Sequence, residues 1–158
     1  METTALSPLA ARVAELFPSL ALASRATLER IAREGIHRKV HAGTVMYSAH
    51  SPCEGFPLVL AGGIRVLQRY PDGRENQLYR VKVGESCLLS GSCLLGQTNY
   101  EAIGIAETGT EVLTLPPQTF HRLIAEDETF RGHVFLLYGE RLSALMQMVD
   151  ASIGQKQE

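Results

Sequence analysis

The sequence predicts an α+β fold, mainly β, with an antiparallel sandwich or barrel of short strands between N-terminal helices and one long C-terminal helix. Three observations predict it. Apolar residues recur at helical spacing up to about residue 35 and again beyond residue 116. Between them, short apolar runs are cut by glycine turns at intervals of roughly 8–12 residues, the rhythm of an all-β layer. The chain has 158 residues, enough for one domain with a full core and too few for two of ordinary size. The expected layout is a single domain over 1–158: N-terminal helices over 1–35, strands over 36–115 and C-terminal helices over 116–151.

Each element has a local cause. Ser7-Pro8 is a helix start, a capping hydroxyl followed by proline at the first helical position. Leu9, Val13 and Leu16 follow at helical spacing until Phe17-Pro18. A second helix is expected over about 23–34, with Leu28, Ile31 and Ala32 on one face and Gly35 as a left-handed terminator. Lys39-Val40-His41 and Thr44 to Tyr47 then flank a turn at Ala42-Gly43. Phe56 to Leu60 is an apolar strand ended by Ala61-Gly62-Gly63, and Ile64, Val66 and Gln68 alternate along the next. Pro71-Asp72-Gly73 is a hairpin turn: proline presets φ and glycine accepts positive φ. Gln77 to Val83 returns as its partner strand. Gly84-Glu85-Ser86 interrupts the sheet, and part of Cys87 to Leu95 is expected as a short inserted helix. Strands resume at about 102–107 and 111–115, and Pro116-Pro117 opens a helix carrying Phe120, Leu123 and Ile124.

The last helix is expected over about 128–150, with a polar, frayed tail from Ser152. Phe135, Leu142 and Val149 are seven apart, and Tyr138 and Leu145 fill the second seam position. This seam either pairs with a second copy of the helix or packs on its own sheet. Val134, Leu136, Leu137 and Met148 give the helix more apolar surface than one seam consumes, which favours pairing and a homodimer.

Composition removes several functions. Lys and Arg number 15 against 17 Asp and Glu, without a basic stripe, so the chain alone is not expected to hold nucleic acid. No apolar run reaches the length of a membrane span, and the Met1 to Thr4 start lacks signal-peptide layout, so the expected location is cytoplasmic. Three cysteines, Cys53, Cys87 and Cys93, do not make a disulfide framework.

Taken in order, the Gly62-Gly63 turn, Pro71-Asp72-Gly73, Gly84-Glu85 before a short helix, and one long terminal helix resemble the sensory half of the cyclic-AMP receptor and fumarate–nitrate-reduction (Crp–Fnr) regulators. The resemblance spans about residues 17–149. It implies a double-stranded β-helix, or jelly-roll-like β-roll, closed by a dimerisation helix. It also implies an effector sensor rather than an enzyme. Gly84-Glu85 would open the phosphate-binding cassette, whose backbone N–H groups face a cyclic phosphate. The implied ligand-binding set is Gly84, Glu85, Ser86, Cys87, Tyr100, Glu101, Ala102 and Tyr138. Such regulators usually continue into a helix-turn-helix domain that binds DNA. No recognition-helix pattern follows here, which fits either a truncated regulator or a stand-alone module.

The charges argue against a cyclic nucleotide held in the usual way. The cassette's phosphate-binding arginine is missing: Tyr100 or Glu101 stands in its place. Losing such a hydrogen bond costs about 1.5–3 kcal/mol. A glutamate there adds repulsion of up to about 4 kcal/mol at close range. The effector is therefore left unidentified. Glu85 has two readings, ribose acceptor or a turn carboxylate capping nearby N–H groups.

Cys87 and Cys93 flank the cassette helix and offer an alternative, a thiol-based redox or reactive-sulfur sensor. A cysteine near a helix N-terminus has a lowered pKa if it is partly exposed. The opposing reading buries both thiols among Leu88, Leu89, Leu94 and Leu95. Cys-x5-Cys is not zinc spacing, and the five histidines form no His-x-His core, so no metal site is expected.

Overall fold

A computed structural model describes residues 5–96, 99 and 102–157. The chain enters as α1 (Pro8–Leu16), where the Ser7 hydroxyl accepts from the Ala10 N–H at 3.3 Å. α2 (Arg25–Glu34) starts on Ser24, which caps the Thr27 N–H at 3.1 Å. Both serine caps are therefore made as the sequence predicts for the first helix.

Gly35 differs from expectation. Its φ of -68° and ψ of 145° are extended, not left-handed. Space is what it supplies: an added Cβ would lie 2.6 Å from a Leu113 side-chain carbon and 2.7 Å from the Ile31 carbonyl. The chain passes straight from helix to strand, with no left-handed cap.

Among the described residues seven strands form two antiparallel sheets. β1 (Ile36–Val40), β7 (Thr110–Leu115) and β3 (Phe56–Ala61) make one, in the order β1-β7-β3. β2 (Val45–Tyr47), β6 (Ile103–Ala106), β4 (Gly63–Arg69) and β5 (Glu75–Lys82) make the other, in the order β2-β6-β4-β5. The strands on either side of Ala42-Gly43 thus belong to different sheets. β4 and β5 form the expected hairpin, with the Tyr70 N–H bonded to the Arg74 carbonyl at 2.9 Å and Gly73 at φ +89°.

The period-2 geometry of strands divides β3 and β7 between two cores. Phe56, Leu58, Leu60, Leu113 and Leu115 face the helices, where they meet Val13, Phe17, Ile31, Phe120 and Phe130. Val59 and Val112 face the interior of the roll with Ile64, Val66, Val81 and Cys87. β3 reads as a continuous apolar run because both of its faces are covered.

α3 (Leu88–Gly96) lies between β5 and β6, and α4 (Pro117–Glu126) leads into α5 (Glu128–Gln157). The Asp127 carboxylate caps α5 by accepting the Phe130 N–H at 2.8 Å, and it also receives the Thr27 hydroxyl. α5 does not end near residue 150 in a frayed tail. It continues to Gln157, since Gln and Lys sustain a helix as readily as most residues. Among the described residues no helix is long and apolar enough to cross a membrane.

A charge clasp fixes α1 to the first sheet. Arg12 donates to Glu111 at 2.7 Å and to the Leu60 carbonyl at 3.2 Å, and His37 bonds the same carboxylate. The Arg12 hydrogen bond is the main cause that brings the Glu111 carboxyl down to about 2, helped by His37 and opposed by burial. A carboxylate depressed in the folded state stabilises above its unfolded pKa, here 4.5, and loses that contribution as pH falls towards 2. Thermal unfolding across this window is expected to show the wild-type midpoint falling more steeply than that of Glu111→Gln. Parallel curves would show that the clasp adds no pH-dependent stability.

Candidate functional site

The site is built where β5 turns into α3. Gly84 holds φ +79°, and its N–H bonds the Val59 carbonyl at 3.0 Å. The Glu85 carbonyl accepts from the Val59 N–H at 3.1 Å, and Ser86 bridges Leu58. Backbone pairing with β3 thus sets the entry to α3 before any side chain is considered.

Beside this entry lies a recess of about 200 Å³ between β5, the Glu85-Ser86 turn and α5. Tyr79, Arg80, Glu85, Ser86 and Leu88 form one side, and Leu137, Glu140, Arg141 and Ala144 of α5 form the other. Glu85 behaves as the capping reading expects: one carboxylate oxygen accepts the Lys82 N–H at 2.7 Å. Its place in the recess keeps the carboxylate beside any occupant as well.

Ser86 is buried and its hydroxyl lies 3.2 Å from His133 Nε2. The other ring nitrogen of His133 lies 2.5 Å from the Ser19 hydroxyl. Phe17 and Phe130 pack around the imidazole. Burial pushes the His133 pKa down to about 4, so the ring is neutral near pH 7.

Tyr138 reaches from α5 to the inserted helix. Its hydroxyl donates to the Leu88 carbonyl at 2.8 Å and lies 3.4 Å from the Ser92 hydroxyl. Gly91 permits this approach, because a Cβ there would meet the Tyr138 oxygen at 2.6 Å. Burial raises the Tyr138 pKa, so the phenol remains a donor.

The predicted residues separate into three groups. Glu85 and Ser86 line the recess, Gly84 shapes its edge, and Tyr138 fixes its helical wall to α3. Cys87 and Ala102 lie instead in the interior core of the roll. Tyr100 and Glu101 lie outside the described residues. The sequence reading did not find Tyr79, Arg80, Leu137, Glu140 or Ala144 as wall residues. Leu137 and Ala144 were within reach: with Arg141 they follow an i, i+4, i+7 pattern and so share a helix face. Nothing in the local pattern of β5 singles out Tyr79 or Arg80.

Cys87 is not the partly exposed thiol that a sensor reading needs. It is fully buried, with the Tyr47 and Tyr79 hydroxyls 3.2 and 3.4 Å from its sulfur. The Tyr79 hydroxyl also accepts the Leu89 N–H at 3.0 Å, and burial first, then Cys87, raises the Tyr79 pKa. Cys93 is buried too, and none of the three cysteines is in a disulfide. Among the described residues no group of three or more His, Cys, Asp or Glu side chains is placed to hold a metal ion.

Along α5 the seam residues Phe135, Leu142 and Val149 are exposed to 65%, 58% and 58%, and Leu145 is exposed as well. Tyr138 is the exception, turned towards the roll.

Comparison with known proteins agrees with this architecture. The model of the cyclic nucleotide-binding domain matches residues 37–127. No curated protein sequence matches the chain. A structure assigned to the crp/fnr family of transcriptional regulators, from Eubacterium rectale, superposes with a TM-score of 0.74 at 26% identity, over 86% of this chain and 63% of that one. The Thermus thermophilus catabolite activator protein superposes with a TM-score of 0.71 at 19% identity, over 85% of this chain and 62% of that one. The N-terminal domain of a transcriptional regulator from Streptomyces coelicolor gives 0.64 at 18% identity, over 87% and 94% of the two chains. The chain therefore spans under two thirds of the first two relatives and nearly all of the third, an isolated N-terminal domain. With a family match across more than half its length and a two-sheet roll like that of its Crp/Fnr structural neighbours, the chain belongs to the cyclic nucleotide-binding domain family.

Proposed function

We propose that this domain is an effector sensor: a small molecule enters the recess beside Glu85 and Ser86, and α5 carries its presence to a second copy of the chain. One observation supports the reading above the rest. A single helix presents one face to the recess, through Leu137, Arg141 and Ala144, and an exposed apolar face away from it, through Phe135, Leu142 and Val149. An occupant that favours one position of α5 must then favour one mode of helix pairing, since a ligand shifts a conformational equilibrium by its differential affinity. In a longer regulator the output would pass to a DNA-binding domain beyond α5.

The exposed apolar face should close on its own copy. In sedimentation velocity the wild-type chain is expected to run as a dimer, and the double variant Leu142→Glu, Leu145→Glu as a folded monomer, because like charges placed across a seam repel and are costly to bury. A wild-type monomer at high micromolar concentration would remove the dimer from the mechanism. The thiol-sensor alternative is weakened by the burial of both cassette cysteines.

A further inference from the structure

We infer that the recess takes a small molecule carrying an oxyanion, phosphate or carboxylate, and that Arg141 is the residue that reads its charge. This rests on the effector reading above and adds the chemistry of the ligand. The stretch from Gly84 to Ala102 contains no Lys or Arg, so an anion cannot be neutralised from the cassette. α5 supplies the cation instead. The Arg141 guanidinium lies 5.2 Å from the centroid of the Tyr79 ring, and one of its terminal nitrogens donates to the Leu78 carbonyl at 3.2 Å. These two contacts hold the group at the recess wall while leaving most of its five N–H donors available. Among the described residues it has no carboxylate partner.

The other charged groups of the recess are differently placed. Arg80 is bound to Glu107 at 3.1 Å, so its charge is already answered. Glu85 uses one oxygen on the Lys82 N–H and keeps the other for a ligand hydroxyl or amine. Glu140 is exposed, and solvent screens its effect on an anion. A pre-positioned, unneutralised guanidinium fork in a concavity is what an oxyanion binds best, because little ordering is left to be done on binding. The volume, about 200 Å³, is below the roughly 300–1,000 Å³ of drug-sized sites and points to a compact ligand.

The test uses the full chain and three probes in calorimetric titration: cyclic AMP, inorganic phosphate and uncharged adenosine. Arg141→Gln is expected to weaken the two anionic probes about 10- to 100-fold and leave adenosine unchanged, with Arg141→Lys between. Circular dichroism checks that each variant is folded. Binding of phosphate without cyclic AMP supports a small oxyanion and dismisses the nucleotide. Equal wild-type affinity for cyclic AMP and adenosine, or an anion affinity untouched by Arg141→Gln, overturns the charge assignment while the recess remains a binding site. Failure of cyclic AMP and phosphate to bind wild-type protein overturns the charge assignment alone, and the effector reading falls with it only if the wild-type chain also runs as a monomer in sedimentation.

Discussion

Phe120→Ala is expected to remove about 3–5 kcal/mol of unfolding free energy, a large share of what holds the domain folded. Phe120 is fully buried, with its ring centroid 4.9 Å from Phe56 and 5.8 Å from Phe130. Phe56 and Phe130 meet edge-on at 6.2 Å, so the three rings close on one another. They come from α4, β3 and α5. A domain of this size has about 5–15 kcal/mol in all. Urea unfolding should therefore show the midpoint falling sharply with an unchanged slope. A loss under about 1 kcal/mol would mean that the neighbouring rings collapse into the space.

The second large effect is at Gly84, where Gly84→Ala should cost clearly more than Gly73→Ala. Both glycines hold positive φ, +79° and +89°, which charges alanine roughly 1–2 kcal/mol for the left-handed backbone. At Gly73 an added Cβ meets nothing within 4 Å. At Gly84 it would lie 2.6 Å from the Leu16 carbonyl, the backbone end of α1, which cannot rotate away. The cassette entry must then part from α1, and the recess walls with it. Equal losses in paired denaturation curves would show that the α1 contact is soft and that only the backbone conformation matters.

Much of the architecture was legible because its causes are local. Ser7-Pro8 starts a helix, and Pro71-Asp72-Gly73 folds a hairpin, whatever surrounds them. Strand pairing across the roll was not legible, and neither was the reason for Gly35, which lies in Leu113, distant in sequence and close in space. The Arg12–Glu111 clasp joins residues 99 positions apart, and no periodicity announces it. The site divided in the same way. Glu85 and Ser86 follow from a turn motif, whereas the contacts that hold Arg141 at the wall, to the Tyr79 ring and the Leu78 carbonyl, do not. For the two cassette cysteines the leucines around them pointed to burial, which the structure shows, but no local pattern announced the two phenols against the sulfur of Cys87.

A neutral imidazole owns one proton for two nitrogens. At His133 one serine must therefore give and the other receive, and Ser19 and Ser86 cannot choose their hydroxyl directions independently. Whatever approaches Ser86 from the recess and claims its proton, or lends it one, also dictates which way the hydroxyl points at the far end of the relay, between α1 and α2. The polarity of three side chains is thus a single two-valued quantity, shared by the α1–α2 connection and the recess.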